Sequence, residues 1–210
     1  MSDTTPQFSP GRFGRAGPEP GLLVTELIDF ELASVQARAG QEASAAAAVA
    51  QAFGACLPDA PGIVAGSDMS FIWSGRGHWL ALSRPTGTGI EARLADPLQG
   101  LVAVCDQSDS RIMLEVRGPK VREVLAKGVS LDLHSSVFRM GDAALTSVSH
   151  MSLQFWQTDE APAYRLLVAR SYFQSFWRWL ASAAAEYGVE VKAPHAYLHS
   201  AADTLARDQL

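Results

Sequence analysis

A chain of 210 residues with 48% hydrophobic and 19% charged side chains has the make-up of an ordinary globular protein, long enough for one large domain or two small ones. At this size about 70% of the unfolded surface can be buried, so a core forms without disulfide or metal staples. The formal charge of -5, with no run of Lys and Arg, excludes a surface that tracks nucleic-acid phosphates, and no apolar stretch approaches the ~20 residues that span a bilayer. The first twenty residues are rich in Pro, Gly and Ser and lack the apolar heart of a secretory signal. Residues 1–24 are therefore expected to form a flexible arm that orders on a partner.

Ile28, Phe30 and Leu32 alternate with Asp29 and Glu31, the period of a half-buried strand. Gln41 to Phe53 is alanine-rich and Gly54 can supply a left-handed C-terminal residue, which predicts a helix. Met69–Trp73 and Trp79–Leu82 flank Ser74-Gly75-Arg76-Gly77, a hairpin signal. Thr88 with Glu91 matches a capping box for a short helix ending near Asp96-Pro97, and Leu101 to Cys105 is an apolar run of strand length.

The second half repeats the order. Ile112, Leu114 and Val116 alternate with polar neighbours; Gly118-Pro119 opens a helix with Pro at its first position and Gly128 closes it. Three strand candidates follow at 143–148, 151–156 and 164–168. Ser171 with Gln174 forms a second capping box for a helix over 171–187, Gly188 ends it, and Val189–Val191 reads as a final edge strand. The order β-α-β-β-α-β, twice, predicts an α+β fold of two ferredoxin-like units packed together. Their spans are about 27–105 and 110–191 within one compact domain, 25–191, followed by a C-terminal tail, 192–210.

On the last helix Phe173, Phe176, Trp177 and Leu180 share one face, widened by Tyr172, Trp179 and Tyr187. Two readings stay open: a core helix against a sheet, or a margin that anchors another subunit, with Tyr172, Phe176 and Trp179 as the interface residues.

Chemistry is sparse. His195 and His199 have the i, i+4 spacing of two ligands on a helix, but no third ligand completes a metal set. His78, His134 and His150 lack a paired carboxylate, and Cys56 and Cys105 lie outside any activating motif and are expected as buried, reduced thiols. Ser74-Gly75-Arg76-Gly77 does not lead from a strand into a helix, so it is a turn rather than a phosphate loop. Asp106 and Asp132 are placed to cap turns. No residue is assigned a catalytic, cofactor-binding or metal role.

Asp106-Gln107-Ser108 ahead of Arg111, Gly118-Pro119, Leu125-Ala126-Lys127-Gly128, Leu131-Asp132-Leu133, and Arg170-Ser171 followed by Phe176-Trp177 resemble the gamma subunit of heterotetrameric sarcosine oxidase over about residues 25–190. The hairpin around Gly75 and Trp79-Leu80 is similar to that family's as well. The resemblance implies the folate-binding fold of the glycine-cleavage aminomethyltransferase. It also implies a role in a cytoplasmic complex that demethylates sarcosine oxidatively to glycine, passes the one-carbon unit to tetrahydrofolate and makes hydrogen peroxide. Alpha, beta and delta subunits are the implied partners, with no nucleic acid and no membrane. FAD, FMN, NAD and zinc are implied in those partners and none in this chain. The alternative is a stand-alone folate-binding or folate-dependent one-carbon transfer protein, with Arg111, Arg117 and Arg170 beside Trp73 or Trp79 holding the anionic ligand.

Overall fold

The computed structural model describes residues 8–17 and 19–198. In chain order the elements are β1 (Gly11–Phe13), β2 (Leu22–Ile28), β3 (Glu31–Ala37), α1 (Glu42–Phe53), β4 (Ile63–Ala65), β5 (Met69–Gly75), β6 (His78–Ser83), α2 (Ile90–Ala95), β7 (Val102–Asp106), β8 (Arg111–Arg117), α3 (Val121–Leu125), β9 (Ala143–Val148), β10 (Met151–Asp159), β11 (Ala163–Ala169), α4 (Phe173–Ala184), β12 (Val189–Val191) and β13 (His195–Ala196). They divide between two compact units, one comprising the described residues through Ile28 with Asp109–His195, the other Asp29–Ser108 with 196–198. The fold is α+β, with one sheet to each unit.

The unit beginning at Asp29 has the sheet order β4-β5-β6-β3-β7. Without the three-residue β4 this is the ferredoxin-like order, every neighbour antiparallel. Its core gathers Val35, Ala45, Val49, Phe53, Phe71, Trp79, Ile90, Leu94 and Val102. Alanines on α1 let the helix lie close, and Gly54 ends it at φ 65° with its N–H donating to Ala50 O at 3.1 Å. The expected hairpin is present, turning through Arg76-Gly77 with a bulge between Trp73 and Gly75.

The other unit runs β1-β12-β2-β8-β11-β10-β9. Here β8, β10, β11 and β12 repeat the ferredoxin-like set, but β2 is inserted between β8 and β12, antiparallel to the first and parallel to the second. The inserted strand preserves the direction that direct pairing of β8 with β12 would have required. The core lies under α3 and α4, where Phe173, Phe176, Leu180 and Ala184 meet Val24, Leu114, Leu153, Phe155, Tyr164 and Leu166. Burying each large side chain there stabilises by about 1.5–3 kcal/mol relative to leaving it wet.

Several expectations are corrected. The alternation at 28–32 is two strands, not one: the chain breaks at Asp29, exposed at φ 56°, and its two sides join different sheets. The period survives the break, so alternation alone could not mark it. Val189–Val191 is not an edge strand, because β1 pairs on its far side. Gly11–Phe13 and Phe8 lie in the segment expected as an arm, yet Arg12 pairs with Glu190 at 3.0 Å and Phe8 stacks on Phe173 and Trp177. Residues 1–7 and 199–210, the ends of the expected arm and tail, lie outside the described residues. Neither capping box forms: α2 starts after Gly89 and α4 after Tyr172, one position beyond Thr88 and Ser171, without side-chain caps. Pro119 stands before the cap residue Lys120 rather than at the first helical position, and α3 spans only Val121–Leu125.

Candidate functional site

α4 is more strongly amphipathic than α1, and its inner face is a packed aromatic layer. Phe173, Phe176 and Leu180 are buried, at 1%, 0% and 0% exposure. Phe176 was expected at an interface; it instead sits in the core, because it shares the inward face with Phe173 and Leu180. Tyr172, just before the helix, is 55% exposed. Trp177 is half-buried between Phe8, stacked at 5.0 Å, and Phe13, edge-on at 5.6 Å. Trp179 is also half-buried, with its ring centroid 5.6 Å from that of Phe176.

The far end of α4 is fastened by charge. Lys127 Nζ donates to Ala183 O at 2.5 Å and to Glu186, and stands 4.8 Å from the Tyr187 ring centroid. A cation on the last-turn carbonyls satisfies orphan acceptors and suits the helix dipole. The Lys127 ammonium holds the Glu186 carboxyl below its ordinary value. Gly128 completes the contact: a Cβ there would meet Val148 Cγ2 at 2.5 Å and Trp179 Cζ2 at 2.6 Å.

A second feature lies within the unit beginning at Asp29. A groove of about 780 Å³ is lined by Asp29, Ser67, Asp68, Arg84, Thr86 and Tyr197, among others. Behind it Arg93 binds Asp68 at 2.6 Å, Ser83 Oγ at 2.8 Å and Glu31 at 3.4 Å. Burial pushes the Glu31 carboxyl above its ordinary range, only partly offset by Arg93, and Asp106 adds to the rise. The arrangement is a charge clamp tying α2 to β3 and β6. No sequence signal points to the groove, since its residues carry no motif and are spread from Asp29 to Leu198.

The remaining candidates fall into ordinary structural roles. Asp106 Oδ1 accepts from Ser108 N–H at 2.8 Å and Asp132 Oδ1 from His134 N–H at 2.9 Å, so both cap turns as expected. His134 Nδ1 contacts Ser136 Oγ at 2.7 Å, His78 Nδ1 contacts Arg76 O at 2.9 Å, and exposed His150 occupies a tight turn at φ 66°. His195 lies in a two-residue strand, not on a helix, and His199 lies outside the described residues. Among the described residues no three His, Cys, Asp or Glu side chains gather as metal ligands would. Ser74–Gly77 joins two antiparallel strands, which is no cradle for a dinucleotide phosphate.

Cys56 and Cys105 are free and both exposed, against the expectation of buried thiols. The cause at Cys105 is the edge strand β7, which turns Val102 inward and Ala103 and Cys105 outward. The arginines proposed for a folate pocket do not all meet: two are neighbours and the third is apart. Arg111 is in register with Ala169, beside Arg170, whose Nε donates to Asp109 O at 2.8 Å. Arg117 sits at the other end of β8, roughly 20 Å along the strand, and pairs with Glu115 at 2.8 Å. Trp79 belongs to the other unit's core and donates to Pro58 O at 2.7 Å.

The family model of the sarcosine oxidase gamma subunit matches residues 37–186. The chain belongs to that family. A sarcosine oxidase subunit gamma from Arthrobacter sp. is 32% identical over 175 residues, 81% of this chain and 84% of that protein. Another, from Corynebacterium sp. (strain P-1), is 33% identical over 147 residues, 69% of this chain and 71% of that protein. Among solved structures, a chain of the heterotetrameric sarcosine oxidase from Corynebacterium sp. U-96, in complex with pyrrole 2-carboxylate, superposes with a TM-score of 0.69 at 26% identity, covering 79% of this chain and 85% of that one. The glycine cleavage system aminomethyltransferase T from Bartonella henselae superposes at 0.56 with 11% identity, over 82% of this chain and 48% of that one, a likeness of fold alone. Both neighbours agree with the fold the sequence resemblance implied. No described helix is long and apolar enough to cross a membrane.

Proposed function

We propose that this chain is a non-catalytic gamma subunit that supports assembly of a heterotetrameric sarcosine oxidase. That complex demethylates sarcosine oxidatively to glycine, gives methylene-tetrahydrofolate from tetrahydrofolate, and yields hydrogen peroxide. The family match over 37–186 is the observation that carries the reading. Alpha, beta and delta subunits are its partners, and they carry FAD, FMN, NAD and zinc. Two exposed, unpaired cysteines suit the reducing cytoplasm as its compartment.

Tyr172 and Trp179 form one contact with a partner, on the support of buried Phe176. Tyr172, 55% exposed, is the amphipathic, rigid kind of side chain that becomes an interface anchor. Purification of the complex through a tag on this chain tests the proposal. Flavin absorbance should co-purify, and its absence refutes the role. The stand-alone folate reading is weakened because Arg117 stands at the far end of β8 from Arg111 and Arg170.

A further inference from the structure

No residue from Phe8 to Gly17 is buried, yet the segment makes ordered contacts along its length. Its root is fixed. Arg15 N–H donates to Ala185 O at 2.7 Å, closing the end of α4. Gly14 packs against the same place, where a Cβ would stand 2.7 Å from that oxygen. It turns the chain at φ 77°, a setting that residues with a Cβ rarely take. The outer part, residues 8–13, lies on α4 and β12. Phe8 stacks on Trp177 at 5.0 Å and on Phe173 at 5.5 Å, and Phe13 meets Trp177 edge-on at 5.6 Å. β1 is in register with all three residues of β12, and Arg12 reaches Glu190 at 3.0 Å.

The outer contacts all face water. The Arg12 side chain is 59% exposed, and an ion pair so placed contributes little. A strand of three residues brings few ladder bonds, and Phe13 keeps 41% of its surface in solvent. Against these stands the entropy lost in ordering six residues. Segments with few buried apolar contacts and exposed backbone hydrogen bonds open well below the global unfolding free energy. The layer beneath is held independently of the cover. β12 pairs with β2 on its other side, and Phe173, Val189 and Val191 belong to the core under α4.

We infer that residues 8–13 form a latch, which opens about Gly14 while the rest of the unit stays folded. Closed, it covers the Trp177 ring and the outer edge of β12. Open, it bares an aromatic face and an unpaired strand edge together, two kinds of surface through which chains associate. Phe8 and Phe13 are the residues that hold it shut. The latch is built from contacts within one unit, so it stands apart from the gamma-subunit reading.

Limited trypsin digestion of the native full chain tests the latch, since cleavage of a folded protein tracks the population of the open form. The bond after Arg12 should be cut while those after Arg117 and Arg165, in β8 and β11, remain intact. Phe8→Ala with Phe13→Ala should speed the Arg12 cut at least about tenfold, with a melting midpoint within about 2 °C of the wild type. Acrylamide quenching supplies a second readout, taken as the difference between each protein and its Trp177→Phe counterpart. The Trp177 part should be quenched at least about twofold more readily in the double variant. An Arg12 cut that appears only together with the cuts in β8 and β11 overturns the latch, because the segment then leaves only when the unit unfolds. A double variant cut and quenched like the wild type also overturns it, and so does one whose midpoint falls further, since Phe8 and Phe13 would then belong to the core.

Discussion

Replacing Gly128 by alanine should destabilise the unit that carries α4. The added methyl would lie 2.5 Å from Val148 Cγ2 and 2.6 Å from Trp179 Cζ2, well inside contact distance on two sides. Neither neighbour yields freely. Val148 is fully buried with a stiff, branched side chain, and the Trp179 ring is backed by Phe176 at 5.6 Å. Overpacking of this kind costs about 2 kcal/mol, which for a chain of this length corresponds to a midpoint lowered by about 4–8 °C. Thermal unfolding followed by circular dichroism and tryptophan fluorescence measures it. Trp179→Ala removes one of the two clashing groups, so the double variant should be more stable than the sum of the single changes by at least about 0.5 kcal/mol. An unshifted midpoint for Gly128→Ala, or strict additivity with Trp179→Ala, would refute the close approach of α3 and α4 on which the packing argument rests.

Three further outcomes follow from the same packing and charge arguments. Ser149 and His150 make a two-residue hairpin turn at φ 46° and 66°, so Ser149→Asn with His150→Gly should stabilise by about 1 kcal/mol in denaturant melts, and no gain would speak against that turn. Both cysteines are exposed, so a thiol reagent should titrate two equivalents from the native protein without denaturant; one or none would contradict their placement. Glu31 has a folded-state pKa raised above the ordinary 4.5, so the folded state holds its proton to higher pH than the unfolded state does. Its contribution is favourable in acid and is lost as pH rises from about 4.5 through the raised value. Glu31→Gln should flatten that fall, and an unchanged pH profile would show that the carboxyl is not desolvated.

Much of the fold was legible because its signals are local. The alternation of β8, the Gly75–Gly77 hairpin, the alanine-rich α1 ending at Gly54, and the Phe173, Phe176, Leu180 face of α4 each follow from a few neighbouring residues. What was missed depends on distant partners. Gly11–Phe13 is too short to show a period, and it is a strand only because β12 lies beside it. Asp29 ends β2 without interrupting the alternation, so the passage from one sheet to the other is silent in sequence. The capping boxes failed by one residue, since α4 is preceded by a tight turn over Arg170–Tyr172 that shifts its first turn past Ser171. Cys105 lies on the outward face of an edge strand, and edge position is a property of sheet order.

The same division holds for the functional surfaces. The aromatic stripe of α4 could be read from spacing, but Phe176 and Tyr172 were separated into core and surface only by the layer that Phe8, Phe13 and the sheet build around them. The closing of residues 8–13 over that stripe had no sequence signal at all, because it depends on where α4 and β12 lie.

The central claim is that the chain works as the gamma subunit of a sarcosine oxidase complex. Native mass spectrometry of the material recovered from its own cells through a tag on this chain tests that most directly. The account predicts one copy of this chain bound to three other subunits, with flavin retained and sarcosine oxidised. A lone chain, or an assembly without flavin, would contradict it.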